Sequence, residues 1–97
     1  MKIKVHNMKS PRSGNSVPNQ FEIYTSKYIL FQSYGTMIAK TERGFMGKTT
    51  LDKNFWDYSK TTLRFLKLFL GTNKTKKEIE ADIKSGVYKL SNLNPFF

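Results

Sequence analysis

The run from Asn54 to Gly71, NFWDYSKTTLRFLKLFLG, restricts the architecture more than any other stretch. Wound at about 100° per residue, it places Tyr58, Thr62, Leu63, Phe65, Leu66, Phe69 and Leu70 on one broad arc, with Leu68 at its margin. Lys60, Arg64 and Lys67, spaced i, i+4, i+7, fill the remaining strip. A helix so apolar must be covered on most sides while its basic strip faces water. In a chain of 97 residues the cover comes from a single domain with one modest core. Eight Phe, five Tyr and one Trp let few side chains build that core; Trp56, Tyr58, Phe65 and Phe69 are expected in it.

Strand signals precede this helix. Gln20 to Tyr24 alternates, Thr25-Ser26-Lys27 turns, and Tyr28 to Ser33 is rich in residues that suit a pleated surface. Tyr34-Gly35 punctuates, Thr36 to Thr41 reads as a third strand, and Lys48 to Leu51 as a short fourth after a loop. Connections this short make the sheet antiparallel. Asn54, Asp57 or Ser59 is the N-cap of the central helix, and Gly71 ends it. Thr75-Lys76-Lys77-Glu78 is a capping box for a second helix with Ile79 and Ile83 on its inner face, which Gly86 stops. Val87 to Leu90 is a last strand or an apolar strap. Residues 1–18 hold turn formers and basic charge with little apolar content, and read as a mobile arm.

The expected fold is therefore α+β: a three- or four-stranded antiparallel sheet packed on two α-helices over residues 19–97, with a flexible basic N-terminal arm over residues 1–18. No apolar run approaches the roughly 20 residues that span a bilayer, and the start lacks the apolar core of a secretion signal. Absence of cysteine excludes disulfides and thiolate chemistry and suits a reducing cytoplasm.

Charge gives the clearest pointer to function. The formal net charge is +10, of which +4 lies in residues 1–20 and +6 in residues 53–77. Such a balance favours nucleic acid or an acidic protein surface as partner, against the alternative of lysines that serve only solubility. The candidate binding set is Lys60, Arg64 and Lys67 on the helix strip, Lys74, Lys76 and Lys77 beyond its end, and Arg43 and Lys48 at a hairpin tip. Lys76 and Lys77 stand where the second helix's dipole prefers acids. Tyr24, Tyr28 and Tyr34 are candidate aromatic contacts, for stacking on bases or for anchoring a protein partner.

Catalytic and metal readings find little support. Gly44-Phe45-Met46-Gly47-Lys48-Thr49-Thr50 ends like a phosphate-binding loop, but two residues separate its glycines instead of four, and Glu42 stands where the first glycine belongs. His6 is the single histidine and falls in the arm; Asp57 and Ser59 suit capping. The expectation is no enzyme, no cofactor and no metal.

At Asn19-Gln20-Phe21, Phe31-Gln32-Ser33-Tyr34-Gly35-Thr36-Met37-Ile38-Ala39-Lys40, Phe55-Trp56-Asp57-Tyr58-Ser59-Lys60-Thr61-Thr62 and Thr75-Lys76-Lys77-Glu78-Ile79, the chain resembles a group of short uncharacterised phage and mobile-element proteins, over roughly Asn19 to Leu93. The resemblance implies a small accessory protein in the bacterial host's cytoplasm. It would be either a nucleic-acid binder or a non-enzymatic inhibitor docked on a host defence complex such as a CRISPR nuclease, through an acidic protein or ribonucleoprotein surface.

Overall fold

The computed structural model describes residues 3–44 and 47–95. In chain order the elements are β1 (Lys4–Lys9), β2 (Ser16–Tyr24), β3 (Tyr28–Ser33), β4 (Thr36–Glu42), β5 (Thr49–Asp52), α1 (Lys60–Leu70), α2 (Lys76–Ser85) and β6 (Tyr88–Ser91). The strands form one six-stranded sheet in the order β1-β2-β3-β4-β5-β6. Neighbours from β1 to β5 are antiparallel, while β5 and β6 are parallel. The molecule is α+β, but a three- or four-stranded antiparallel sheet is too small and of the wrong kind. The two helices between β5 and β6 supply the long connection that a parallel pair requires, which returns the chain beside β5.

The N-terminal segment also differs from the expected arm. Far from a free arm, residues 4–9 pair with β2 in the register Lys4↔Tyr24, Val5↔Ile23, His6↔Glu22 and Asn7↔Phe21. A bulge follows Asn7, and the Asn7 amide fills it by donating to the carbonyls of Val17 and Gln20 at 2.7 and 3.0 Å. Backbone hydrogen bonds from Ser10 to Asn15 and from Gly14 to Ser10 close the turn. Met8 is the one apolar side chain of β1 that is buried, so the strand is held mostly by its backbone ladder, which leaves no hydrophobic pattern to read.

Register explains where the core lies. Phe31 pairs with Ala39, and Ala39 with Leu51, so the three form a row across β3, β4 and β5 on one face; all three are fully buried. A bulge in β4 leaves Ile38 without a partner on β3 and lets it be buried beside Ala39. Helix α1 covers this row with Phe65 and Leu66, Phe69 stacks on Phe31 at 5.8 Å, and the Thr62 and Ser33 hydroxyls meet at 3.0 Å. Helix α2 adds Ile79, fully buried. Each such side chain contributes about 1.5–3 kcal/mol on leaving water. The other face of the sheet carries Val5, Phe21, Ile23, Leu30 and Lys40, aligned by the same registers.

Both helix ends follow local chemistry. Ser59 is the N-cap of α1, its hydroxyl accepting from the Thr62 N–H, and Gly71 closes the helix at φ 68°. Thr75 and Glu78 form the expected capping box on α2, and Gly86 ends it at φ 91°. Helix α1 starts at Lys60, later than the periodicity allows, because residues 53–58 are spent on turns that follow Asp52. Tyr58 therefore leaves the core expected for it and is 66% exposed, while Trp56 remains buried.

Candidate nucleic-acid interface

Helix α1 positions the basic strip. With about 1.5 Å of rise per residue, Lys60, Arg64 and Lys67 run along roughly two turns of one side, opposite the Phe65 and Leu66 contacts with the sheet. Lys60 and Arg64 are exposed and Lys67 is half-buried. The first turn of α1 contains no acid, so the positive end of the helix dipole adds to the side-chain charge.

Two grooves flank the strip. The first, of about 410 Å³, is bordered by Lys60, Arg64, Lys67, Thr72, Asn73 and Pro11. The second, of about 370 Å³, lies between Arg64, Thr61 and Phe65 of α1 and Ser10, Pro11 and Arg12 of the β1–β2 turn. Arg64 and Pro11 border both. Arg12 was legible only as part of a basic arm. Its place beside α1 follows from β1 pairing with β2, a long-range fact that local pattern does not encode.

The bases beyond α1 are differently placed. Lys74 Nζ lies 2.5 Å from the Asp82 carboxylate, and this hydrogen bond raises the lysine pKa above its ordinary value. Lys76 pairs with Asp57 at 3.2 Å, which offsets the unfavourable charge at the start of α2. Among the described residues these are the ion pairs formed, and Lys60, Arg64, Lys67, Arg12 and Lys77 take no part in them. The Lys74 to Lys77 segment is thus a partly neutralised neighbour of the strip, and the β1–β2 turn is its nearer complement.

Arg43 and Lys48 sit at the opposite end of β4 from Tyr34-Gly35. The Arg43 guanidinium donates to the Thr25 carbonyl at 2.8 Å and lies 6.0 Å from the Tyr24 ring, so it clamps the β2–β3 turn. Lys48 is exposed. Of the phosphate-loop-like segment, Phe45 and Met46 lie outside the described residues. A strand follows Lys48 where that motif requires a helix. Gly47 is required by packing, since a Cβ there would stand 2.0 Å from the Glu42 carbonyl oxygen.

The tyrosines do not gather. Tyr24 shares the helix-side face with His6, the rings edge to face at 5.2 Å, which makes His6 part of β1 packing instead of a loose tail. Tyr28 is on the other face under Lys40, 4.7 Å from its ring. Tyr34 stands at the far end, in the β3–β4 turn. Among the described residues no group of three or more His, Asp or Glu is placed to hold a metal ion.

Fold and site together define a small, strongly basic α+β protein with a mixed sheet and a positively charged, doubly grooved helix face. The chain belongs to a family of unknown function, DUF8033, whose model matches residues 3–85. That span takes in β1 through α2, including the N-terminal segment whose sequence reads as an arm. No curated protein and no solved structure matches the chain. Among the described residues no helix is long and apolar enough to cross a membrane.

Proposed function

We propose that this protein binds nucleic acid, mainly through phosphate contacts, along α1 and the adjoining β1–β2 turn, and that it acts without catalysis. The observation that carries the reading is Arg64: it borders both grooves, with Lys60 and Lys67 on one and Arg12 on the other, and none of the four is neutralised by a described acid. Unpaired bases around a concave surface attract a polyanion and release its counterions on binding. Resemblance to short phage and mobile-element proteins supports an accessory role of this kind in a bacterial host cell.

Fluorescence anisotropy with labelled DNA and RNA across a salt series tests it. Affinity is expected to fall steeply with salt. In the variant with Lys60→Glu, Arg64→Glu and Lys67→Glu, the log–log slope drops by about two to three, at roughly 0.7–0.9 for each phosphate that the protein ceases to neutralise. Lys74→Glu, whose base is already paired, has a smaller effect. Absence of binding at low ionic strength refutes the reading.

A second reading, an inhibitor docked on a host defence complex, is favoured by one observation. The face opposite the helices carries Val5, Phe21, Ile23, Tyr28 and Leu30, with Val5 exposed and the others half-buried, and aromatic and aliphatic side chains of this sort anchor protein interfaces. It predicts a host or phage protein that co-purifies with wild type and is lost with Leu30→Asp. Recovery of nucleic acid alone counts against it.

A further inference from the structure

Beyond the N-terminal end of the basic strip lies a third cavity, of about 130 Å³, lined by Ser33, Tyr34, Thr36, Ile38, Phe55 and Tyr58. Tyr34 and Tyr58 are both large exposed aromatics, at 52% and 66%, and both stand outside the hydrophobic cluster, although Phe55 packs on it. Tyr34 and Gly35 are the two central residues of the hairpin that joins Ser33 to Thr36, with φ of 51° and 78°. The first such position ordinarily takes Asn, Asp or Gly, and a bulky side chain there is held in a conformation it avoids. Backbone hydrogen bonding from the Tyr34 N–H to the Asn19 carbonyl at 2.8 Å fixes the strained turn. Strain of this kind, with an aromatic presented to solvent, is a mark of function.

Tyr58 is held from the other side by Phe55, the rings 5.8 Å apart at 65°. One residue separates it from Lys60, where the larger basic groove begins. Tyr34 and Tyr58 line the small cavity, and Lys60, Arg64 and Lys67, which begin two residues after Tyr58 in the chain, border the larger groove. A duplex hides the faces of its bases in the stack, whereas a single strand offers them.

The geometry points to single-stranded nucleic acid as the ligand of this site, with one base taken between Tyr34 and Tyr58 over the small cavity and the adjoining phosphates on Lys60, Arg64 and Lys67. This inference rests on the nucleic-acid reading above and names its substrate class. Stacking tolerates any base, so the site selects strandedness before sequence.

The test measures anisotropy with oligothymidylate, oligouridylate and a duplex of equal length, for wild type, Tyr34→Asn, Tyr34→Phe and Tyr58→Ala. Asn keeps the left-handed turn, so the first variant stays folded, which circular dichroism verifies. Wild type is expected to prefer the single strands. Tyr34→Asn and Tyr58→Ala each weaken single-strand binding about five- to a hundredfold, leave duplex binding within about twofold, and Tyr34→Phe restores it. Unchanged single-strand affinity in both ring-loss variants, while Arg64→Glu still weakens binding, overturns the stacking site and leaves the phosphate reading standing. Lack of binding to all three probes overturns both.

Discussion

The Asp52 carboxylate has no exposure to solvent and accepts from four donors: the N–H groups of Asn54 and Phe55 at 3.1 and 2.9 Å, the Leu93 N–H at 2.8 Å and the Asn94 amide at 3.1 Å. Asn94 in turn bonds both backbone groups of Met37 at 2.9 Å, so one side chain ties the exit of β5 to residues 93–94 and, through them, to β4. Asp52→Ala strands these donors in the interior, and urea unfolding is expected to show a loss of about 3 kcal/mol or more. Gln20 is the opposite case. It is fully buried and neither polar atom of its side chain has a hydrogen-bond partner among the described residues. An apolar side chain of similar shape removes two unsatisfied groups, so Gln20→Met is expected to raise stability by about 1–2 kcal/mol in the same measurement. Neither role was legible in the sequence, where Asp52 falls just past the expected fourth strand and Gln20 only starts the first.

At the scale of elements, legibility followed the range of the interaction. Ser59, Gly71, Thr75 with Glu78, and Gly86 act within one turn of themselves, and the sequence announces them. Tyr58 misled because periodicity gives the face of a helix without its first residue, and the turns that follow Asp52 take up the residues before Ser59. Ser59→Ala removes the acceptor for the Thr62 N–H at 3.1 Å, and thermal unfolding is expected to report a loss of about 1 kcal/mol. On α2, the Glu78 carboxylate accepts from the Thr75 N–H at 2.9 Å, which holds its pKa below the ordinary 4.5. A carboxylate with a lowered folded pKa adds stability above the unfolded value and loses it as pH falls through the folded one. Wild type is therefore expected to lose α2 stability progressively below about pH 4.5, and Glu78→Gln to flatten that part of the profile, as followed by helical circular dichroism.

For the whole molecule, the question with the largest consequence is whether the N-terminal residues belong to the fold. A charge of +4 in the first 20 residues and a near absence of apolar pattern describe a tail, yet the chain places them at the edge of the sheet and sets Ser10, Pro11 and Arg12 against α1. The two pictures differ in what removal of residues 1–9 does. A tail is shed without thermodynamic effect. Loss of β1 instead removes Met8 from the core, worth about 1.5–3 kcal/mol, and the Asn7 hydrogen bonds that fill the bulge, at about 1 kcal/mol each. It also bares the edge of β2 as a template for association. Against the 5–15 kcal/mol available to a domain, a melting temperature lower by about 15 °C or more is expected, at about 4–8 °C per kcal/mol for a chain of this size. Because the same segment anchors the turn that faces Arg64, nucleic-acid affinity is expected to fall with it even where the truncated chain remains folded. An unchanged melting temperature would return residues 1–9 to the status of a tail, and would remove the β1–β2 turn from the site along with them.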